Sequence, residues 1–258
     1  LRADVPAAEL RTGAFSSSLL DDVAQVVISP GLSLQEPIVR TARERGCPVI
    51  GDIELFAREA PAPIAAITGT NGKSTVTTLV AEIANAGGRR AVAGGNLGEP
   101  ALDLLERPTP DLYVLELSSF QLETTYSLRT VASTVLNVTP DHMDRYASLE
   151  AYGAAKARIF DGCAVAVINA DDPAVRGMPR PGQFVVSFSL ESNDADYTLA
   201  RSPAPMIVRR GEPLLPLAAM RLQGLHNAAN AMAALALAEA LDLPLAPALE
   251  HVGAVAPE

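Results

Sequence analysis

The sequence predicts an α/β protein: a mostly parallel sheet covered by helices, a smaller α/β part before it, and an antiparallel annex near the end. Three observations carry this. From Ile64 onward, short apolar runs alternate with helix-length segments, and strands apolar throughout belong to sheets covered on both faces. The run Ile64-Ala-Ala-Ile-Thr passes through a glycine turn directly into a helix-like segment. Residues 197–217 break the alternation with two short β-rich runs and a turn containing Gly211-Glu212.

Taken in order, Ala-Gln-Val-Val-Ile-Ser at 24–29 reads as a short buried strand. Pro30-Gly31 turns the chain, 34–45 is helical, and 48–50 is a second short strand. That β–α–β pattern resembles the tail of a Rossmann-like domain. A helix over 52–59 follows, and the stiff connector Ala60-Pro61-Ala62-Pro63 marks the predicted boundary, giving domains 1–61 and 62–258. Beyond it the predicted strands are 64–68, 90–94, 111–117, 131–138, 163–169 and 183–188. The predicted helices are 73–86, 100–106, 148–160 and 227–241.

Composition narrows the class. The 258 residues are 48% hydrophobic with a formal charge of −10, which argues against a nucleic-acid surface. There is no apolar run of membrane-spanning length and no signal pattern at the start. Cys47 and Cys163 lack metal-ligand spacing and suit reduced, buried thiols in a cytoplasm. The chain opens without Met, so it reads as an excerpt of a longer protein. Its 20 basic residues include only two lysines, Lys73 and Lys156, and both fall inside motif-like segments.

The first lysine ends a phosphate-cradling pattern, Gly69-Thr70-Asn71-Gly72-Lys73-Ser74-Thr75, between a strand and a helix. Glycines let backbone N–H groups turn inward and the helix start favours anions. The ammonium reaches terminal phosphates, and the next hydroxyl suits Mg²⁺. Ile67 stands where the general phosphate loop has its first glycine, so this is a shorter variant and speaks against a generic kinase or GTPase. ATP is the expected ligand.

At 111–123 the chain reads Asp-Leu-Tyr-Val-Leu-Glu116-Leu-Ser118-Ser119-Phe120-Gln121-Leu-Glu123. Glu116 falls at the carboxyl end of an apolar strand, where open α/β sheets gather ligands. It is either a solvated strand end or a carboxylate awaiting a cation such as Mg²⁺. Asn137-Val-Thr-Pro-Asp141-His142-Met-Asp144-Arg145-Tyr146 emerges at the same edge, with His142 either structural or a ligand. Lys156 lies on the following helix. A surface lysine snorkelling from that helix is the plain alternative, although Arg158 shows that arginine is accepted there.

Together with Ala154-Ala155-Lys156 and Leu222-Gln-Gly-Leu-His226-Asn227-Ala-Ala-Asn230, these motifs resemble the Mur ligase family over almost the whole chain. The Glu-Leu-Ser-Ser-Phe-Gln-Leu-Glu segment favours the branch that adds D-glutamate to UDP-N-acetylmuramoyl-L-alanine in peptidoglycan precursor synthesis. The resemblance implies an ATP-dependent amide ligase working through an acyl phosphate. It places Gly69 to Thr75 on ATP, with Asn227 and Asn230 also touching the nucleotide. Ser74 and Glu116 would serve one Mg²⁺. His142 and a carbamylated Lys156 would serve a second, as an amine can take up CO₂ and a guanidinium cannot. Asn96, Ser118, Gln121 and His142 would surround the muramoyl-alanine, and Pro30 and Gly31 would face the UDP-sugar.

The same resemblance implies a monomeric cytoplasmic enzyme. It also implies missing parts: the opening uridine-diphosphate-gripping strand and a C-terminal domain with the D-glutamate pocket. The 258-residue chain alone is therefore expected to bind nucleotide weakly and not to ligate. The alternatives are a sister Mur ligase or folylpolyglutamate-synthase-like ligase, and, from another class, a non-catalytic nucleotide-binding protein.

Overall fold

A computed structural model describes residues 8–220 and 222–254. The chain ends at 1–7 and 255–258, where the expectation of a truncated chain applies, lie outside the described residues. The chain forms two compact units, residues 1–50 and 51–258.

In the first unit, β1 (Val26–Val27) and β2 (Val49–Ile50) pair in parallel, with α1 (Pro37–Glu44) as the crossover. Pro37 opens α1, where its missing N–H costs nothing. Val39 and Ala42, on one helix face, pack with Leu20, Ile28 and Val49 as this unit's core. Pro30 and Gly31 turn the chain after β1, and the Gly31 N–H donates to Ser29 Oγ at 3.4 Å.

The second unit starts before the Pro-rich connector. Helix α2 (Asp52–Glu59) buries Ile53 and Phe56 completely, and the Phe56 ring meets Tyr113 edge-on at 5.1 Å. The compact units therefore divide at residue 50, whereas the predicted boundary was 61: α2 packs its apolar face into the second unit's core.

That unit is built on one nine-stranded sheet. Its strands are β3 (Ile64–Thr68), β4 (Ala91–Gly95), β5 (Leu112–Glu116), β6 (Thr130–Val135), β7 (Cys163–Asn169), β8 (Phe184–Ser189), β9 (Tyr197–Ala200), β10 (Met206–Arg209) and β11 (Glu212–Pro216). Their order across the sheet is β11-β10-β9-β8-β7-β6-β3-β5-β4. From β4 to β9 every pair is parallel; β9, β10 and β11 pair antiparallel. The annex extends the main sheet through Phe188↔Tyr197 and Ser189↔Thr198.

The sheet is covered on both faces, as the fully apolar strands require. Side chains alternate along β3, so Ala65 and Ile67 enter one core with α3 (Lys73–Ala86), α7 (Leu225–Ala240) and α8 (Leu245–Ala254). Ile64 and Ala66 enter the other, with α2 and α5 (Leu149–Ala157). Ile67 is fully buried in the first core, which is why this position takes an apolar side chain. The predicted helix at 100–106 is a single 3-10 turn at Asp103–Glu106, in a segment bracketed by Pro100 and Pro108. The predicted helix at 148–160 tightens to 3-10 geometry at Arg158.

Candidate functional site

Strand β3 lies between β5 and β6, so the ends of all three parallel strands open at one sheet edge. Beyond Thr68 the chain turns through Gly69 to Gly72, and α3 begins at Lys73. Gly72 has φ +85°, and a Cβ there would stand 2.5 Å from Asn230 Oδ1, so both backbone and space demand glycine. The N–H groups from Gly72 to Thr75 open the helix, with the first helical bond made by Val76 N–H to the Gly72 carbonyl. They and the helix dipole form an anion seat. Lys73 Nζ folds back to donate to the Thr70 carbonyl at 3.0 Å.

Glu116 ends β5 and is 2% exposed. Its Oε2 accepts from Ser74 Oγ at 2.8 Å and its Oε1 from Asn96 Nδ2 at 2.8 Å. Asn96 is within reach because β4 approaches closely at Gly95, where a Cβ would sit 2.5 Å from the Glu116 carbonyl oxygen. Neutral donors thus hold a buried carboxylate beside the anion seat. The Ser74 hydroxyl and Glu116 carboxylate are hard oxygen donors of the kind Mg²⁺ takes, with waters and phosphate oxygens completing its shell. No group of three His, Cys, Asp or Glu that could hold a metal ion occurs among the described residues.

Lys156, on α5, is 2% exposed. Its Nζ donates to the Gly69 carbonyl at 2.8 Å and lies 4.4 Å from the centre of the Tyr152 ring. Burial, reinforced by the nearby charge of Lys73, pulls its pKa down to about 7 from 10.5. At that pKa both the neutral and the protonated amine are populated near neutral pH. The snorkelling alternative is excluded by this burial. His142 is half-exposed with a left-handed backbone, φ 54°. Its ring lies 4.9 Å from Phe120 and 6.1 Å from Tyr152, so His142 and Lys156 approach the same tyrosine ring.

Ser118 and Gln121 begin the short helix α4 (Ser119–Leu122) in a reciprocal capping box. Gln121 is buried. Its Oε1 accepts from the Ser118 N–H at 3.0 Å, and its Nε2 donates to Asp52 Oδ2 at 2.9 Å. Its side chain thus braces Ser118, which remains partly exposed.

Beside the loop is a cavity of about 320 Å³ lined by Asn71, Gly72, Thr75, Asn137, Asn169, Phe188, His226, Asn227 and Asn230, among others. The structure brings Asn227 and Asn230 to this cavity. Asn137, Asn169, Phe188 and His226 carried no assigned role in the sequence reading. Asn137 and Asn169 share one signal, a polar residue just past or at the end of an apolar strand. Phe188 offers none. Pro30 and Gly31 belong to the first unit.

The Mur ligase middle domain matches residues 67–238, most of the chain. The chain belongs to the Mur ligase family. A second match, to the N-terminal domain of MurD-like Mur ligases, covers residues 1–51. Among relatives in this family, the UDP-N-acetylmuramoylalanine–D-glutamate ligase of Nitrosococcus oceani is 52% identical over 98% of this chain and 56% of its own length. The enzymes of the same name from Methylobacillus flagellatus and Shigella boydii are 48% and 50% identical over 97% and 95% of this chain, each again over 56% of its own length. The chain thus spans just over half the length of these Mur ligases. Solved structures agree on the fold. A UDP-N-acetylmuramoyl-L-alanyl-D-glutamate–2,6-diaminopimelate ligase superposes with a TM-score of 0.69 at 24% identity, covering 99% of this chain and 67% of that one. The UDP-N-acetylmuramate–alanine ligase of Thermotoga maritima gives 0.62 at 25% identity, covering 91% and 56%.

Proposed function

We propose that the protein carrying this chain is an ATP-dependent ligase that joins D-glutamate to UDP-N-acetylmuramoyl-L-alanine. The observation that carries the chemistry is the hydrogen bond from the Ser74 hydroxyl, one residue past Lys73, to the buried carboxylate of Glu116 at the mouth of the anion seat. The choice of amino acid rests on the relatives' names.

In this reading the substrate carboxylate attacks the γ-phosphorus of ATP, the bond to the β-phosphate oxygen breaks, and ADP leaves. The amine of D-glutamate then attacks the acyl phosphate carbon, phosphate departs and a proton is lost, leaving the amide. Most of the work is positioning and charge neutralisation. Lys73 exchanges its Thr70 carbonyl for the β- and γ-phosphates, and the N–H groups from Gly72 to Thr75 bind their oxygens. Gly69, Thr70, Asn71, Gly72 and Thr75 shape that seat, while Asn227 and Asn230 hold the nucleoside end. Asn96 and Ser118, braced by Gln121, orient the reacting carboxylate. Pro30 and Gly31 face the UDP-sugar.

Ser74 and Glu116 would hold one Mg²⁺, which supplies positive charge to the phosphates. The neutral amine of Lys156 is suited to attack CO₂, forming an N–C bond and losing a proton. The resulting carbamate, with His142, would hold a second Mg²⁺. The enzyme is taken to be cytoplasmic and monomeric; among the described residues no helix is long and apolar enough to cross a membrane.

The test is amino-acid-dependent ADP release by the intact protein, given ATP, Mg²⁺ and UDP-N-acetylmuramoyl-L-alanine. D-Glutamate should support turnover and meso-diaminopimelate or L-lysine should not. Turnover with either of those instead would assign a sister ligase, and no turnover with any would end the reading.

A further inference from the structure

We infer that Asn137 is a positioning residue for the phosphate loop: it holds the amides of Thr70 and Asn71 so that the loop is already shaped before nucleotide arrives. The inference rests on the phosphate-loop reading above and assigns a role to a residue outside the loop.

The geometry is specific. Asn137 follows β6, and its side-chain Oδ1 accepts from two successive backbone groups, Thr70 N–H at 3.1 Å and Asn71 N–H at 2.8 Å. Its Nδ2 donates to the Asn71 carbonyl at 3.0 Å, and its own carbonyl also accepts from the Thr70 N–H at 3.0 Å. Two successive amides on one oxygen make the concave arrangement that elsewhere cradles an anion. Here a neutral side chain fills it.

The loop's donors are thereby divided. Thr70 and Asn71 are committed to Asn137, while the amides from Gly72 to Thr75 open α3 and point no hydrogen bond into the helix. Phosphate oxygens would take that second set.

Asn137 can act as a brace because its own backbone is fixed on both sides. Asn169 Nδ2 donates to the Leu136 carbonyl at 2.9 Å, and the Val138 N–H donates to Asp172 Oδ2 at 2.7 Å. The Thr70 hydroxyl adds a further tie, donating to the Thr139 carbonyl and accepting from its N–H. A loop so fixed loses little conformational freedom when ligand binds.

Two measurements on the intact protein test this. Hydrogen exchange should show the Thr70 and Asn71 amides protected without nucleotide and unchanged by ATP. The amides from Gly72 to Thr75 should gain protection only with ATP. The second measurement compares ATP with adenosine in wild type and Asn137→Ala. Removal of the brace should weaken ATP about tenfold, from the loss of two or so hydrogen bonds' worth of preorganisation, and leave adenosine within about twofold. Equal weakening of both ligands would make Asn137 a nucleoside contact and overturn the inference. So would free exchange of Thr70 and Asn71 in the unliganded wild type, or new protection of those amides with ATP. Wild type that binds adenosine as well as ATP would instead refute the phosphate-loop reading itself.

Discussion

Replacement of Lys156 by Met tests whether this amine is held neutral by burial. The folded-state pKa is about 7, against an ordinary 10.5, because the ammonium is taken out of water beside Lys73. Each factor of ten in proton affinity is worth about 1.36 kcal/mol, so keeping the proton on in the folded state costs roughly 5 kcal/mol as an upper bound. The direction follows from proton counting. Between pH 7 and 10.5 the unfolded chain binds more protons at this lysine than the folded one, so stability rises with pH. Below pH 7 both states carry the proton and the cost is fully present; above 10.5 neither does and it vanishes. The assay is urea unfolding of wild type and Lys156→Met in CO₂-free, metal-free buffer at several pH values from neutral to about 9.5. Other titrating groups cancel in the difference, which should shift in favour of wild type by about 3 kcal/mol as pH rises over that interval. Parallel profiles, within about 0.5 kcal/mol throughout, would show that burial does not suppress the charge.

Three further outcomes are expected. Glu116→Gln should raise the Mg²⁺ concentration needed for half-maximal ATP binding by about tenfold or more, since it removes the negative charge from the proposed site while keeping the shape; isothermal titration at several Mg²⁺ levels reads this. Gly72→Ala should destabilise the loop by about 1–2 kcal/mol from its left-handed backbone alone, with added strain against Asn230, and should weaken ATP binding in a fluorescence titration. Lys156→Arg should abolish ligation while native mass spectrometry of wild type under CO₂ shows one added CO₂ that the variant lacks; retained activity in the variant would remove the carbamate from the mechanism.

Local signals read well from the sequence, and long-range ones did not. The boundaries of β3 and α3 were legible because an unbroken apolar run meets Gly69 and Gly72, and both the strand period and the turn chemistry agree. Helix α4 was missed: four residues carry no period, and its cap depends on the reciprocal Ser118–Gln121 bonds. The amphipathic pattern of α2 said that one face would be buried, but not in which unit, so the boundary fell elsewhere. At the site, Lys73, Ser74, Glu116 and Lys156 could be named from residue type and motif. What could not be read was their pairing. Nothing local says that Gln121 turns its amide to Asp52, that Asn137 takes two loop amides, or that Lys156 reaches the Gly69 carbonyl. Each of these joins stretches of chain far apart in sequence, which no local pattern can report.

The strand order β6-β3-β5 has a consequence for how the site comes into being. The loop belongs to β3, but the side chain that braces it comes from beyond β6 and the carboxylate that holds Ser74 comes from β5. Neither neighbour is next to β3 in sequence, so both pairings close long stretches of chain, and such contacts form late and together. A peptide spanning β3, the loop and α3 would carry the whole recognisable motif and none of its bracing. On the proposed reading, the ability to seat a phosphate is acquired at the step where the sheet closes on both sides of β3, and nucleotide binding would report on completed folding of the second unit.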